Sequence, residues 1–288
     1  MRSRALTNPL GSPDGGGVPL PSSLSLERRG EIAVLRLSRA AKRNALDDAT
    51  VLGLGAFFTS PPEWARVVVL DAEGDHFCAG LDLAELAERD AFGGLRHSRM
   101  WHAAFERIES GSVPVIAVLK GAVIGGGLEL ACAAHLRVAE ATTFYALPEG
   151  QRGLFPGGGA SVRVPRLIGA HRMADMMLTG RVHDAEAGQA LGLSHYLTAP
   201  GEGLAEALRL AEKVASNSPV SNYAVIQALP RIAASNPADG YFMESLMAAV
   251  AQSGDEAKRR MRAFLDGRAA KVTKDAKVST DAKESPDA

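Results

Sequence analysis

Short apolar runs alternate with amphipathic stretches through the first two thirds of the chain. The runs EIAVLRLSR, ARVVVLDAEG and VPVIAVLKG are rich in β-branched residues and leucine, which is typical of buried strands. A turn is expected at Arg29 and Gly30, ahead of the first run. LRVAEATTFYAL predicts two more short strands, whereas DATVLGLGAFF and the stretch through SRMWHAAFERIES have helical spacing. Strands that alternate with helices in this way predict an α/β core.

The alternation of strands and helices gives way to helical spacing towards the C-terminus. The two terminal segments of the chain show no apolar periodicity. From about Leu204 the spacing is helical almost throughout. Residues 1–22 are rich in Gly, Pro and Ser, and the polar segment 271–288 has too few large apolar groups to offset its ordering entropy. We therefore predict a disordered leader (1–22), a folded core (23–203), a helical region (204–270) and a disordered tail (271–288).

Composition and charge exclude several classes of protein. The 288 residues carry a formal net charge of −1, so the basic excess expected for binding to nucleic acid or an anionic membrane is missing. No apolar run reaches the ~18 residues of a membrane span, and the N-terminus lacks the hydrophobic stretch of a secretory signal. Cys78 and Cys132 lie in apolar surroundings without metal-ligand spacing, which favours buried, unpaired thiols. We expect a cytoplasmic protein.

Two predicted strands each run into a glycine-bearing loop and then a helix, in FCAGLDL and GGGLEL. Helix N-termini carry unpaired N–H donors and a partial positive charge, and glycine lets a ligand approach the backbone closely. If the loops face each other, one amide from each could stabilise a single negatively charged oxygen. The alternative is that Gly125, Gly126 and Gly127 only permit tight packing of the helix.

Five segments occur together in the order and spacing of a known family: KRNAL, FCAGLDL, GAVIGGGLELACAAHLRVA, ALPEGQRGLFPGGGAS and LTGRVHDAEAGQALGL. Across about residues 25–268 the chain resembles the crotonase superfamily and looks like an enoyl-CoA hydratase/isomerase. The resemblance implies that the core is a spiral of ββα units. It also implies that the region 204–270 mediates formation of homotrimers, which commonly pair into hexamers. The substrate would be an acyl-CoA thioester, and no separate cofactor is expected because coenzyme A is part of the substrate.

The resemblance also assigns catalytic roles to positions of this sequence. The backbone amides of Leu81 and Gly126 would hold the thioester oxygen, and Gly157 would help to position a water molecule. Glu129 and Glu149 match the two glutamates of the family's hydratases. Addition of water to a double bond needs a base and an acid, and two carboxylates can divide these roles when their pKa values differ. Isomerases of the family typically keep only the later glutamate, so the pair favours a hydratase.

Other readings of these carboxylates remain open from the sequence alone. Glu129 could merely complement a helix N-terminus, and Glu149 could be an ordinary loop residue. Glu106 and Glu109 are interpreted as a solvated helix face. Trp101, Phe105 and Ile108, at helical spacing, would pack in the core or line an acyl pocket.

Coenzyme A binding is expected without a Walker or GxGxxG motif, since the sequence contains neither. The pantetheine arm would lie against the backbone at Asn44–Leu46 and against the loop that contains Ala79. Lys42 and Arg43 could reach the phosphates or the adenosine, although a solvated charge pair is an equal alternative. Two departures from the family are Ala40, where proline is common, and Ala84, where many hydratases have lysine. The substrate-binding positions implied by the resemblance are Lys42, Arg43, Ala45, Ala79, Asp82, Leu83, Gly125 and Gly157.

These observations predict reversible hydration of a 2-enoyl-CoA to a 3-hydroxyacyl-CoA. Within the superfamily, the alternatives are isomerisation, thioester hydrolysis, and hydration followed by cleavage of an aryl-propenoyl-CoA. A non-catalytic binding subunit is a further possibility, against which the paired glutamates argue. Ser98 follows His97, but nothing resembles a GxSxG elbow, so a serine nucleophile is not expected. The missing GxGxxG motif weighs against a dinucleotide-dependent dehydrogenase.

Overall fold

The computed structural model describes residues 19–85 and 88–268, and within them nine strands and ten helices. The strands are β1 (Leu24–Arg29), β2 (Ile32–Leu37), β3 (Val67–Ala72), β4 (Val115–Leu119), β5 (Ala122–Ile124), β6 (Leu136–Glu140), β7 (Phe144–Ala146), β8 (His183–Asp184) and β9 (Tyr196–Thr198). The helices are α1 (Asp48–Thr59), α2 (Ala91–Glu109), α3 (Gly126–Ala133), α4 (Ala160–Ile168), α5 (Ala170–Thr179), α6 (Ala185–Leu191), α7 (Gly203–Ala215), α8 (Pro219–Ala234), α9 (Pro237–Ser253) and α10 (Asp255–Leu265).

The strands form two sheets. The larger sheet has the order β1-β2-β3-β4-β6-β9, in which only the β1–β2 pair is antiparallel. The smaller sheet has the order β5-β7-β8, with β5 and β7 parallel. Both β3 and β4 are buried at every position. Strands buried on both faces need apolar side chains throughout, which explains the continuous apolar runs in the sequence.

The register of the larger sheet separates two apolar clusters. Val34, Val69 and Ile116 align across β2, β3 and β4 and pack against α7 through residues such as Leu210. The neighbouring row is Leu35, Leu70 and Ala117, and it belongs to the larger cluster, which includes residues of α1, α2, α3 and α4. The sheet is therefore covered on both faces, and the helices of the larger cluster bring the glycine-bearing loops together.

Helices α8, α9 and α10 bury few of their side chains within the chain. Ile226 is the buried apolar residue of α8, Gly240 is the buried residue of α9, and α10 buries none. Many of their large apolar side chains are exposed: Val220, Tyr223, Val225, Leu229, Tyr241, Phe242, Leu246, Val250, Met261, Phe264 and Leu265. Over the described residues no helix is both long enough and apolar enough to cross a bilayer.

Most elements predicted from the apolar pattern are confirmed. These include β2, β3, β4, β6 and β7, the helices α1 and α2, and the almost continuous helical structure from α7 onwards. The predicted turn joins β1 to β2, and Gly30 has a φ of 61° there. Of the predicted leader, Leu20 packs against the core, whereas residues 1–18 lie outside the described residues. The predicted tail, 271–288, also lies outside them.

The contact between α3 and the loop after β3 leaves no room for a side chain at Gly127. A Cβ atom there would clash with the carbonyl oxygen of Cys78 and lie 2.9 Å from the Cys78 Cβ. We expect Gly127→Ala to lower the free energy of unfolding by about 1–3 kcal/mol through overpacking, measured by urea denaturation. Gly94→Ala, on exposed α2, is the control. Its Cβ would meet no described atom within 4 Å, so it should be neutral or stabilise by up to about 1 kcal/mol. Equal stability of the two variants would contradict this packing.

Candidate active site

Two backbone amides lie side by side where the glycine-bearing loops meet. A Cβ atom built on Gly126 would lie 3.4 Å from the Leu81 nitrogen, and one built on Gly80 would lie 3.4 Å from the Gly126 nitrogen. The loop is fixed beside β5 because the Cys78 amide donates to Ala122 and the Cys78 carbonyl accepts from Ile124. The predicted proximity of the two amides is therefore present in the structure.

Both amides are available as donors. Gly126 is the first residue of α3, so its N–H has no acceptor within the helix, and it lies at the positive end of the helix dipole. Within the described part of the chain, neither Leu81 nor Gly126 donates its amide hydrogen to another residue. Gly80 (φ 98°) and Gly125 (φ 52°) precede them in backbone conformations that favour glycine. Adjacent free amides of this kind can hold a single oxygen atom that gains negative charge.

Glu129 lies on the first turns of α3 and is almost completely buried, with 3% of its surface exposed. Its Oε1 accepts hydrogen bonds from the amides of Gly158 (2.8 Å) and Ala160 (3.0 Å), at the start of α4. The carboxylate thus binds the N-terminus of a different helix from its own. Burial raises the pKa of Glu129, while these hydrogen bonds and the nearby positive charge of Arg163 act in the opposite direction.

Glu149 follows β7 and reaches the same region from the other side. Its Oε1 would lie 2.7 Å from a Cβ atom built on Gly125. Its Oε2 is buried and has no hydrogen-bond partner among residues 19–85 and 88–268. Burial raises the pKa of Glu149 to about 6, and the negative charge of Glu129 adds to the increase. The two carboxyl groups therefore interact but have different surroundings.

Helix α2 connects the segments that carry these groups. The Trp101 ring would lie 2.8 Å from a Cβ on Gly126 and 2.9 Å from a Cβ on Gly158, so it packs against both glycines. Trp101 also packs edge to face on Phe105, and both residues belong to the core, as predicted. The Ser98 hydroxyl donates to the Gly157 carbonyl (2.6 Å). His97 instead contacts Asp48 (2.8 Å), so Ser98 and His97 do not form a nucleophile–base pair.

The predicted coenzyme A segments are held to each other by backbone hydrogen bonds. The Ala79 amide donates to Arg43, and the Leu46 amide donates to the Gly80 carbonyl. Arg43 is exposed and has a left-handed φ of 51°, and Ala45 is half-buried beside it. Leu83 lies in a 3₁₀ turn, Leu83–Glu85.

Asp82 organises this region through ion pairs. Its Oδ2 accepts from Arg39 (2.6 Å) and Lys42 (2.9 Å), and its Oδ1 accepts from the Ala84 amide (3.1 Å). The hydrogen bonds from Lys42 and Arg39 hold the pKa of Asp82 well below its usual range. Lys42 is thus part of an ion pair, as the alternative interpretation allowed, while 54% of its side chain stays exposed.

Sequence reasoning missed two structural contributors to the site. Asn44 is buried, and its side-chain amide donates to the carbonyls of Glu73 and His76, which shapes the loop. Arg163 is buried on α4 and pairs with Glu109 (2.7 Å), so the interpretation of Glu109 as merely solvated is wrong. An arginine within the otherwise uncharged stretch ASVRV was the available signal.

The two cysteines are buried and unpaired, as predicted. Burial raises the pKa of Cys78 to about 12 and that of Cys132 to about 11, so both thiols stay protonated. The described residues contain no group of three or more His, Cys, Asp or Glu side chains placed to hold a metal ion.

The chain belongs to the enoyl-CoA hydratase/isomerase family, whose sequence profile matches residues 27–275. A short-chain-enoyl-CoA hydratase of Clostridium acetobutylicum is 28% identical over 257 residues, which cover 88% of this chain and 98% of that protein. A crystal structure from Rhodopseudomonas palustris is 57% identical and has a TM-score of 0.84, covering 88% of this chain and 98% of that one. An enoyl-CoA hydratase structure from Bacillus anthracis is 28% identical with a TM-score of 0.80, covering 85% and 97%. The predicted crotonase fold is confirmed, and the protein is an enzyme of this family.

The raised pKa of Glu149 predicts a pH-dependent cost in stability. Because the pKa rises from 4.5 to about 6, the native state binds this proton more tightly than the unfolded state. Stability is therefore lost as the pH rises from about 4.5 through 6. We expect Glu149→Gln to have a higher Tm than the wild type at pH 8, and the difference to vanish at pH 4, measured by calorimetry. Glu106→Gln, exposed on α2, is the control. A gain that persists undiminished at pH 4 would show that ionisation of Glu149 is not its cause.

Proposed function

We propose that the enzyme catalyses the reversible syn hydration of a 2-enoyl-CoA thioester to a 3-hydroxyacyl-CoA. The observation that carries this proposal is the juxtaposition of two free amides with two interacting carboxyl groups of different surroundings. Membership of the family and relatives named enoyl-CoA hydratase support it. Coenzyme A enters as part of the substrate, so no further cofactor is needed for this reaction.

The amides of Leu81 and Gly126 would hold the thioester oxygen. As water adds to the β-carbon, electron density moves from the double bond onto this oxygen and gives an enolate. Donors that are already in place stabilise such charge without reorganisation, which favours the transition state over the ground state. Because Gly125 has no side chain, the Glu149 carboxyl group has room beside it, where it would face the carbon that accepts a proton.

The two glutamates divide the proton transfers. Glu129, whose carboxylate form is stabilised by two amides and by Arg163, would take a proton from the water that attacks the β-carbon. Glu149, which lacks such support on Oε2, would give its proton to the α-carbon. The amide of Gly157 would position the water. Proton exchange with solvent restores both groups after the product leaves.

The thioester arm would lie along the paired segments around Ala45, Ala79 and Leu83. Lys42 and Arg43 would supply positive charge to the coenzyme A phosphates, and Asp82 would orient Lys42 rather than contact the substrate. Gly125 would border the reacting carbons.

A panel of enoyl-CoA thioesters, from crotonyl-CoA to longer-chain and aromatic members, tests the reaction. We expect loss of the absorbance of the conjugated double bond and a 3-hydroxyacyl-CoA product. Glu129→Gln and Glu149→Gln should each lower kcat by roughly 10²–10⁴-fold, because each removes one proton transfer. Glu106→Gln should keep wild-type turnover. A shifted double bond, free coenzyme A or an aldehyde as the main product would contradict hydration in favour of isomerisation, hydrolysis or cleavage, respectively. Full turnover by either glutamine variant would contradict the proposed roles.

We also propose that the exposed apolar side chains of α8, α9 and α10 form the interface of a homotrimer, or of a homohexamer built from two trimers. Eleven large apolar side chains are exposed on these three helices, and such an accumulation is typical of protein interfaces. Light scattering should give a mass three or six times the 30.2 kDa of one chain. Phe242→Asp should lower that mass, whereas Leu52→Asp, equally apolar and exposed on α1, should not. A wild-type monomer at micromolar concentration would contradict the proposal.

A further inference from the structure

The turn that precedes α4 is held at two of its carbonyl groups, those of Gly157 and Gly158. Ser98 donates to Gly157 (2.6 Å), and the Arg163 Nη1 donates to Gly158 (3.1 Å). Gly159 has a φ of 112°, and a Cβ atom there would clash with the same Arg163 nitrogen. The guanidinium therefore lies directly against the turn, and the turn's conformation is compatible only with glycine at this point.

Two amides of the same turn donate hydrogen bonds to Glu129, whereas its carbonyl groups bind Ser98 and Arg163. Gly158 and Ala160 both donate to its Oε1, so a movement of the turn moves the carboxylate. Trp101 limits the space on the remaining side of Gly158. The position of Glu129 thus depends on the position of the turn.

Arg163 is itself fixed from a different helix. Its Nε donates to Glu109 Oε2 on α2 (2.7 Å), and only 9% of the arginine side chain is exposed. A guanidinium is planar and presents its donors in a rigid arrangement, so one side chain can hold a carboxylate and a carbonyl at a defined separation. A lysine ammonium retains the charge but lacks this geometry.

We propose that Arg163, anchored by Glu109, is a positioning residue for Glu129: it fixes the Gly157–Ala160 turn and places a positive charge beside the carboxylate. This inference rests on the proposed function only in treating Glu129 as a catalytic group.

Arg163 and Glu109 carry opposite charges, so they have opposite effects on the pKa of Glu129. Arg163 favours the ionised form of Glu129, and Glu109 neutralises part of the arginine charge. Removal of Arg163 should therefore raise the pKa of Glu129, and removal of the Glu109 charge should lower it. Among the described residues, the other titratable or charged groups near this cluster are Glu149, Arg152, Cys132, Arg137, Arg99, His102 and His135, whose Nε2 lies 3.2 Å from the Glu109 carbonyl oxygen.

Ionisation of Glu129 can be followed without turnover. The Trp101 ring and the Glu129 carboxyl group both approach Gly158, and the chain's only other tryptophan is Trp64. In a Trp64→Phe background, the fluorescence of Trp101 should therefore change as Glu129 titrates. The step should be absent from the Glu129→Gln variant in the same background.

We expect Arg163→Gln to move this step to higher pH by about one unit, and Glu109→Gln to move it to lower pH. Arg163→Gln should also lower kcat by roughly 10- to 100-fold on crotonyl-CoA, or on whichever thioester of the panel is turned over fastest, because a displaced carboxylate is misaligned. KM should change by less than about threefold, since the arginine does not contact substrate.

Arg163→Lys should keep the wild-type midpoint and lose part of kcat. Arg209→Gln, which removes a half-buried ion pair with Glu206 on α7, should change none of these.

Equal midpoints in all variants, or shifts in the same direction for Arg163→Gln and Glu109→Gln, would overturn the proposal. If Arg163→Gln does not fold, as judged by circular dichroism, two results still decide the proposal: a lowered midpoint in Glu109→Gln, and an unchanged midpoint with reduced kcat in Arg163→Lys. Full turnover by Glu129→Gln would contradict the hydration mechanism but leave the fluorescence test intact. Loss of turnover in Glu129→Gln, together with unmoved midpoints elsewhere, would contradict the positioning role alone.

Discussion

The site depends on the close approach of two backbone segments. One is the loop that follows β3 and contains Cys78, and the other is the first turn of α3. Gly127 contacts the Cys78 carbonyl, and the Leu81 and Gly126 amides become neighbours as a result. A side chain on either glycine of α3 would separate the segments, and on Gly126 it would also displace Trp101. The hydrogen bonds between Cys78 and β5 fix the loop along its length. Tight packing and chemistry are therefore not alternatives here, because the packing is what aligns the donors.

The second constraint is that two carboxyl groups share a poorly solvated region. Two like charges in such a place cannot ionise with equal ease unless one of them is better supported. The start of α4 and Arg163 support Glu129, whereas Glu149 retains a buried oxygen without a partner. The surroundings of the two carboxyl groups therefore differ before any substrate is bound. The polar groups that create it belong to α2, α3 and α4, which are anchored in the largest apolar cluster, so the site is rigid where its geometry matters.

Periodicity identified the long or fully buried elements, and it failed for short or mixed ones. The strand β1 reads LSLERR, and its charged half lies at the sheet edge, so the apolar signal there is weak. The strands β5, β8 and β9 contain three residues or fewer, which is too short for a period to be seen. The strand β7 is equally short, and it was predicted from the threonines and aromatic residues of TTFYAL rather than from a period. The glutamates and glycines of the site could be located through five linked motifs. Their partners could not, because Arg163 is 54 residues from Glu109 and the contact exists only after folding. Asp82 likewise matched a substrate-binding position, whereas folding directs its carboxylate to Arg39 and Lys42.

The stability of this fold and the demands of its site can coexist because they depend on different parts of the structure. The parallel sheet and α7 form an apolar cluster that contains none of the site's polar groups. Each buried carboxyl group opposes folding when it ionises, and Glu149 has no hydrogen-bond donor on Oε2 to offset that cost. A domain of this size tolerates such local penalties because burial elsewhere is extensive and independent of them. The unsupported oxygen of Glu149 is thus a local destabilisation that burial elsewhere offsets, and burial of the carboxyl group raises its pKa to about 6.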